Sequence, residues 1–287
     1  MSKELDFIKK DTYFNEFLKK NNLSDEYLEK NLGKIIRVLQ SRNMCNGCKS
    51  LEDCKQASSG ERLSLTYDGV LFDEIEYCDF ALCKQKKNIL AKSYVYCDVP
   101  EDLITIDLNS VEYTKDQEQL YLKLAAILHK KTNKGLYIAG DLGVGKTYLC
   151  IALANSLVKN GEKVAFVKVS NFFKEMKSYI GGRSELIDRN INLLQTADCL
   201  VLDDIGSEAV SEFVRDDILL TILDYRMEHK LLTIFTSNLN KNDLVKHYTY
   251  DRKDNSNAMK AKRLVERIDI LSENFVLSGK DMRREVC

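Results

Sequence analysis

Apolar positions recur at helical spacing through residues 4 to about 40. Leu5, Ile8, Phe14, Phe17 and Leu18 share one face, and Leu28, Leu32, Ile35, Ile36 and Leu39 share another. Ser24, with Glu26 close behind, is a suitable start for the second helical segment. A turn-rich stretch follows (Asn46, Gly47, Ser58, Ser59, Gly60), then a strand-like run from Leu63 to Tyr67. The chain's 1 proline, Pro100, sits in Asp98-Val-Pro-Glu-Asp102, which marks a boundary between domains at 1–99 and 100–287. Beyond residue 115 the pattern alternates. A helix over Gln117–Lys131 is followed by apolar strands at Gly135–Ala139, Lys163–Val169, Cys199–Asp203, Leu232–Thr236 and Asn274–Leu277, with helical stretches between them. Buried apolar strands separated by helices predict an α/β fold with a parallel sheet between helices, preceded by a smaller helical domain.

The first of these strands runs straight into Gly140-Asp141-Leu142-Gly143-Val144-Gly145-Lys146-Thr147, and a helix from Tyr148 to Val158 follows. The run fits G-x-x-x-x-G-K-[ST] in the strand–loop–helix context that the motif needs. Backbone N–H groups of such a loop turn inward around phosphate, and the helix N-terminus adds partial positive charge. Lys146 then reaches the β- and γ-phosphates, the Thr147 hydroxyl ligates Mg²⁺, and Tyr148 flanks the nucleotide. Cys199-Leu-Val-Leu-Asp203-Asp204 ends a buried strand in two carboxylates. Strand C-termini face the ligand crevice of an open α/β sheet. Asp203 is therefore expected on Mg²⁺, and Asp204 on the attacking water. The strand Leu232–Thr236 ends in Ser237-Asn238, which aims an amide at the γ-phosphate or the water. Ordinary turn chemistry is the alternative there.

Composition narrows the class. With 287 residues, 44% apolar content and a formal net charge of -1, the chain has real cores and is no polycation, so nucleic-acid contact must be local. No apolar run is long enough to span a bilayer, and the charged stretch Met1–Lys20 lacks a signal-peptide core. A cytoplasmic protein with no membrane contact is expected. Of the 9 cysteines, Cys45, Cys48, Cys54, Cys78, Cys83 and Cys97 cluster in the first third. Cys45-Asn-Gly-Cys48 is a C-x₂-C knuckle suited to tetrahedral Zn²⁺. Cys54 and Cys83 are expected to complete the site, with Cys78 a close competitor and Cys97 a distant one. A redox C-x-x-C is the functional rival, but the strand and helix around it are missing. Asn171-Phe172-Phe173-Lys174-Glu-Met-Lys177-Ser-Tyr179 interleaves aromatics with lysines. That pattern suits single-stranded DNA, and equally a buried helix face.

The order of motifs resembles the AAA+ ATPases of the DnaC/DnaI helicase-loader group. The resemblance rests on the phosphate loop, Asp203-Asp204-Ile-Gly-Ser-Glu208, Arg215-Asp-Asp217, Tyr225-Arg-Met227 and Thr236-Ser-Asn238, and it covers residue 100 to the end. One branch of the group carries a zinc-binding domain in front, as the cysteines here suggest. The resemblance implies a sensor role for Asn238 and an arginine finger in Lys262-Arg263-Leu-Val-Glu-Arg267, best Arg267 and next Arg263. It places a second sensor in Lys280-Asp-Met-Arg283-Arg284, best Arg283. It further implies ATP and Mg²⁺, a replicative hexameric helicase as partner, weak sequence-independent contact with single-stranded DNA, and self-association through the ATP sites. Many AAA+ proteins have Glu where this chain has Asp204; the shorter acid, shared by the loader group, suggests slow, partner-controlled hydrolysis. Two other readings are a transposition helper ATPase of the same subgroup, against which the cysteine domain argues, and a non-hydrolysing ATP-binding adaptor.

Overall fold

The computed structural model describes residues 3–249 and 255–282. The chain forms two compact units, Met1–Lys86 and Lys87–Cys287. This division precedes the boundary expected at residues 99 and 100, and it falls within a helix, α5 (Asp79–Ser93).

In the first unit, helices α1 (Lys3–Ile8), α2 (Thr12–Asn21), α3 (Asp25–Lys30) and α4 (Leu32–Met44) pack with an antiparallel hairpin, β1 (Glu61–Tyr67) and β2 (Leu71–Tyr77). Local chemistry sets the helix limits. Asp11 accepts from the Phe14 N–H to start α2, and Ser24 accepts from the Tyr27 N–H to start α3. The expected helical faces meet in one core of Leu5, Ile8, Phe14, Leu28, Ile35 and Leu39, joined by Val38, Leu65 and Leu71, with Phe17, Leu18, Leu32 and Ile36 around it. Two tyrosines fasten helices to hairpin. The Leu65 N–H donates to the Tyr13 hydroxyl at 2.7 Å and the Leu71 N–H to the Tyr27 hydroxyl at 2.9 Å.

The second unit is built on a six-stranded parallel sheet of β3 (Tyr96–Cys97), β4 (Gly135–Gly140), β5 (Val164–Lys168), β6 (Cys199–Asp203), β7 (Leu232–Ser237) and β8 (Ser272–Leu277), in the order β3-β5-β6-β7-β4-β8. The five expected strands are all present. The short edge strand β3 adds the sixth. Alternate residues of each strand feed separate cores, as a two-residue repeat requires. Leu136, Ile138, Phe166, Val201 and Ile234 face one side, under α6 (Glu118–Leu128) and α7 (Lys146–Lys159). Tyr137, Ala139, Val167, Leu202 and Phe235 face the other, with α8 (Val169–Ser178), α9 (Ser184–Thr196), α10 (Thr221–Glu228), α11 (Lys241–Tyr248) and α12 (Asn255–Leu271). Helix α7 is buried along most of its length, which explains its continuous apolar sequence.

Two wholly buried arginines lock the second face. Arg226 donates to Thr233 Oγ1 and to the carbonyls of Leu194, Gln195, Ala197 and Leu232, so it joins α9, α10 and β7. Burial pushes its guanidinium down to about 10, so it stays charged at neutral pH. Arg215, in a π-helical stretch (Phe213–Leu220), donates to Asp216 through Nε and Nη2 at 2.6 and 2.8 Å and to Asn257 Oδ1 through Nη1 at 3.0 Å. Hydrogen bonding from Arg215 holds the Asp216 carboxyl below its ordinary 3.8 against opposing burial, and Lys260 adds to it. A carboxyl so lowered contributes stability in full above its unfolded-state value and loses it as pH falls through the folded value. Asp216→Asn should therefore cost about 1–3 kcal/mol at neutral pH. In urea titrations of the full chain, the gap between variant and parent should begin to close only below about pH 3.8.

Candidate functional site

Sheet order builds the site. Strand β7 stands between β4, which leads into the phosphate loop, and β6, which ends in the two acids. The pairs Ala139↔Ser237 and Leu202↔Phe235 put all three strand ends at one level. They open on a cleft of about 840 Å³ lined by Leu142, Gly143, Gly145, Lys146, Thr147, Tyr148, Asp203, Asp204, Thr236 and Asn238, with Asp102, Leu103, Glu112, Lys168 and Met282. The remaining loop positions back it. The carbonyls of Gly140 and Asp141 each accept from Lys146 Nζ at 2.7 Å, and Val144 is buried in the core beneath.

These groups form a continuous hydrogen-bonded chain. Lys146 Nζ donates to Asn238 Oδ1 at 2.9 Å, and Asn238 Nδ2 donates to Asp204 Oδ1 at 2.9 Å. The hydroxyls of Thr147 and Thr236 each donate to Asp203 Oδ1 at 2.7 Å. Thr236 Oγ1 also accepts the Asp204 N–H at 2.9 Å, which joins the two halves. Asp203 is 5% exposed. Burial raises its carboxyl above the ordinary range, partly offset by the hydroxyls of Thr236 and Thr147. A buried carboxylate facing a threonine hydroxyl at the phosphate end of the cleft is an oxygen pair that fits Mg²⁺.

Asp204 is held in the left-handed backbone region at φ 60, where a residue with a side chain is strained. The following turn is braced by Glu208, whose Oε2 accepts the Gly206 N–H at 2.8 Å and whose Oε1 accepts the buried Tyr248 hydroxyl. Thr236, Glu208 and Lys168 were not picked out from the sequence as site residues. Thr236 and Lys168 carried a usable signal, since each lies at the C-terminal end of a sheet strand, and Lys168 is in register with Asp203.

Arg263 and Arg267 lie away from this cleft. Both pair with Asp224, through Nη2 at 3.2 Å and Nε at 2.7 Å, and Arg267 also meets Glu266. Arg283 lies outside the described residues. Helix α8 decides between the two readings of its sequence. Phe172, Phe173 and Met176 are at most 2% exposed, so these side chains pack the core, as one reading had it, and the two phenylalanines do not stack bases; Lys174 is exposed.

In the first unit, Cys45, Cys48, Cys54 and Cys78 line a cavity of about 150 Å³. Cys83 is exposed and does not line it, and Cys97 belongs to β3 in the second unit. Gln56 Nε2 donates to Cys45 Sγ and the Gly60 N–H to Cys54 Sγ, both at 3.3 Å. The backbone N–H groups of Gly60 and Gln56 lower the Cys54 thiol. Sulfurs receiving N–H bonds suit thiolate ligation. Among the described residues, however, no three His, Cys, Asp or Glu side chains converge as a ready metal group.

A parallel sheet with a phosphate loop, an acid strand two places away and a polar strand end between them defines a P-loop nucleotide-binding protein. Residues 98–283 match the family of IstB-like ATP binding proteins, and the chain belongs to that family. It is 30% identical over 262 residues to the replicative helicase loader DnaI of Bacillus subtilis strain 168, covering 88% of this chain and 83% of that one. It is 29% identical over 108 residues to the replicative helicase loader DnaC of Escherichia coli K12, covering 38% of this chain and 44% of DnaC. A crystal structure of DnaI superposes with a TM-score of 0.56 at 31% identity, covering 66% of this chain and 99% of that one. The chain binds ATP. Lys146→Ala should weaken ATP binding about 100-fold, the worth of a charge-assisted phosphate contact, in a fluorescent-nucleotide titration.

Proposed function

We propose that this protein is an ATP-dependent loader of a replicative DNA helicase, acting at initiation or restart of replication. One observation carries the reading. The likeness to DnaI covers 88% of this chain, so it extends well beyond the ATP-binding region, which begins at residue 98, into the N-terminal unit. A transposition helper of the same subgroup would need the ATPase region alone.

In this reading Lys146 and the loop amides hold the β- and γ-phosphates, while Thr147 and Asp203 hold Mg²⁺. The ion would supply charge neutralisation on the phosphates. Asp204 orients the attacking water. Asn238, already bonded to both Lys146 and Asp204, registers whether a γ-phosphate has come between them. Arg267, with Arg263 beside it, serves the site of a neighbouring copy, because neither lies in this chain's cleft. That arrangement requires head-to-tail association for turnover. Arg283 is proposed as the second sensor on the family resemblance alone.

The N-terminal unit is the proposed helicase-docking domain, stapled by Zn²⁺ on Cys45, Cys48, Cys54 and Cys78. The shared cavity favours Cys78 over Cys83 as the fourth ligand. Contact with single-stranded DNA runs through exposed cations such as Lys174, not through the α8 phenylalanines. A cytoplasmic location accompanies this role. Among the described residues no helix is long and apolar enough to cross a membrane.

Two experiments test these points. On size exclusion with the replicative helicase of the same cell, the chain should co-migrate in at least one nucleotide state; separation in every state would contradict the loader reading. Metal analysis of the purified protein should give about one equivalent of zinc, as a structural site requires. Cys78→Ser should lose it and Cys83→Ser should keep it. Less than about half an equivalent in the parent would refute the site.

A further inference from the structure

Gln117 lies under the phosphate loop and is 2% exposed. It ends the short 3₁₀ turn Lys115–Gln117 that opens α6. Its two amide ends do different work. Oε1 accepts the Thr114 N–H at 2.9 Å, the side-chain half of a helix-start cap, whereas Nε2 donates to the Val144 carbonyl inside the loop at 2.8 Å and touches Met282 Sδ at 3.2 Å. The Met282 N–H in turn donates to the Gly143 carbonyl at 3.1 Å. Two successive loop carbonyls are thus tied down from outside.

Peptide planarity converts that tie into site geometry. In a trans peptide the C=O of one residue and the N–H of the next point in opposite directions. Fixing the Gly143 carbonyl fixes the Val144 N–H, and fixing the Val144 carbonyl fixes the Gly145 N–H. Both N–H groups are then turned away from their anchors, as an anion-binding nest requires. Gly145 shows how close the support is. A Cβ on it would stand 2.2 Å from Gln117 Nε2, and its φ of 95 is one that residues with side chains rarely adopt. Glycine at 145 makes room for the strut as well as for the phosphate.

We infer that Gln117 is a positioning residue for the phosphate loop, holding the Gly145 N–H ready for the β-phosphate before nucleotide arrives. The residue type supports this. Glutamate caps a helix start as well as glutamine does. At 117, however, a carboxylate would set an oxygen against the Val144 carbonyl where the structure has a donor. The helix start tolerates either residue; the loop requires the amide.

The inference rests on the nucleotide-site reading, and the test separates the two. Gln117→Glu keeps the acceptor for Thr114 and loses the donor to Val144. Gln117→Met keeps the bulk and loses both. Titrations of the full chain with fluorescent ATP and ADP at about pH 8 should show both variants weakened about tenfold, a lost buried hydrogen bond at the loop. ATP and ADP should be affected alike, because both carry the β-phosphate. Both variants should melt lower without nucleotide, Gln117→Glu because it buries a carboxylate against the Val144 carbonyl, so affinities are compared at a temperature where circular dichroism shows each variant folded. Parent-like affinity in Gln117→Glu would overturn the inference. So would weak binding confined to temperatures at which the variant is already unfolding, which would trace it to the fold. If the parent itself binds neither nucleotide, the site reading falls with it.

Discussion

A buried carboxylate at the centre of the sheet, Asp203, is the constraint on which the site depends. It ends β6 at 5% exposure, and in the described structure its hydrogen-bond partners are the hydroxyls of Thr147 and Thr236. Those two hydroxyls come from the helix after β4 and from β7, so one oxygen ties the products of three strands together. Burial makes its charge costly, as its raised carboxyl shows. The cost is consistent with a site arranged for a ligand, because a cation and phosphates entering the cleft would compensate it.

The second feature of the site is that its polar groups satisfy one another. Lys146 donates to the carbonyls of Gly140 and Asp141 and to Asn238. In the proposed mechanism a γ-phosphate would compete for the same ammonium and free Asn238, which also donates to Asp204. The strained Asp204 backbone and its brace through Glu208 to Tyr248 at the end of α11 connect that event to the helical side of the unit. Arg263 and Arg267, the proposed fingers, are both paired with Asp224 on the helical side.

Much of this was legible in the sequence, for particular reasons. Each buried parallel strand reads as an apolar run, so all five expected strands of the sheet were found. The phosphate loop identifies itself by spacing. Strand β3 escaped because two residues, Tyr96–Cys97, carry no periodicity. The α8 segment was ambiguous because aromatic residues at helical spacing serve a core or a nucleic-acid face equally well; only tertiary packing decided for the core. Cys83 is preferred to Cys78 in the sequence reading, but it is Cys78, just after the hairpin, that lines the cavity with Cys45, Cys48 and Cys54. Gln117 was seen only as the first residue of a helix. Its contact with Val144 crosses twenty-seven residues and leaves no local pattern.

In the proposed function, ATP at this site controls the loading of a replicative helicase on DNA that offers no end to thread. Strand displacement by the replicative helicase of the same cell, on an oligonucleotide annealed to a covalently closed single-stranded circle, tests it most directly. The account predicts that unwinding starts with this protein and ATP, and fails with the helicase alone or with Lys146→Ala. Unwinding that begins equally fast without the protein, or with Lys146→Ala in its place, would contradict it.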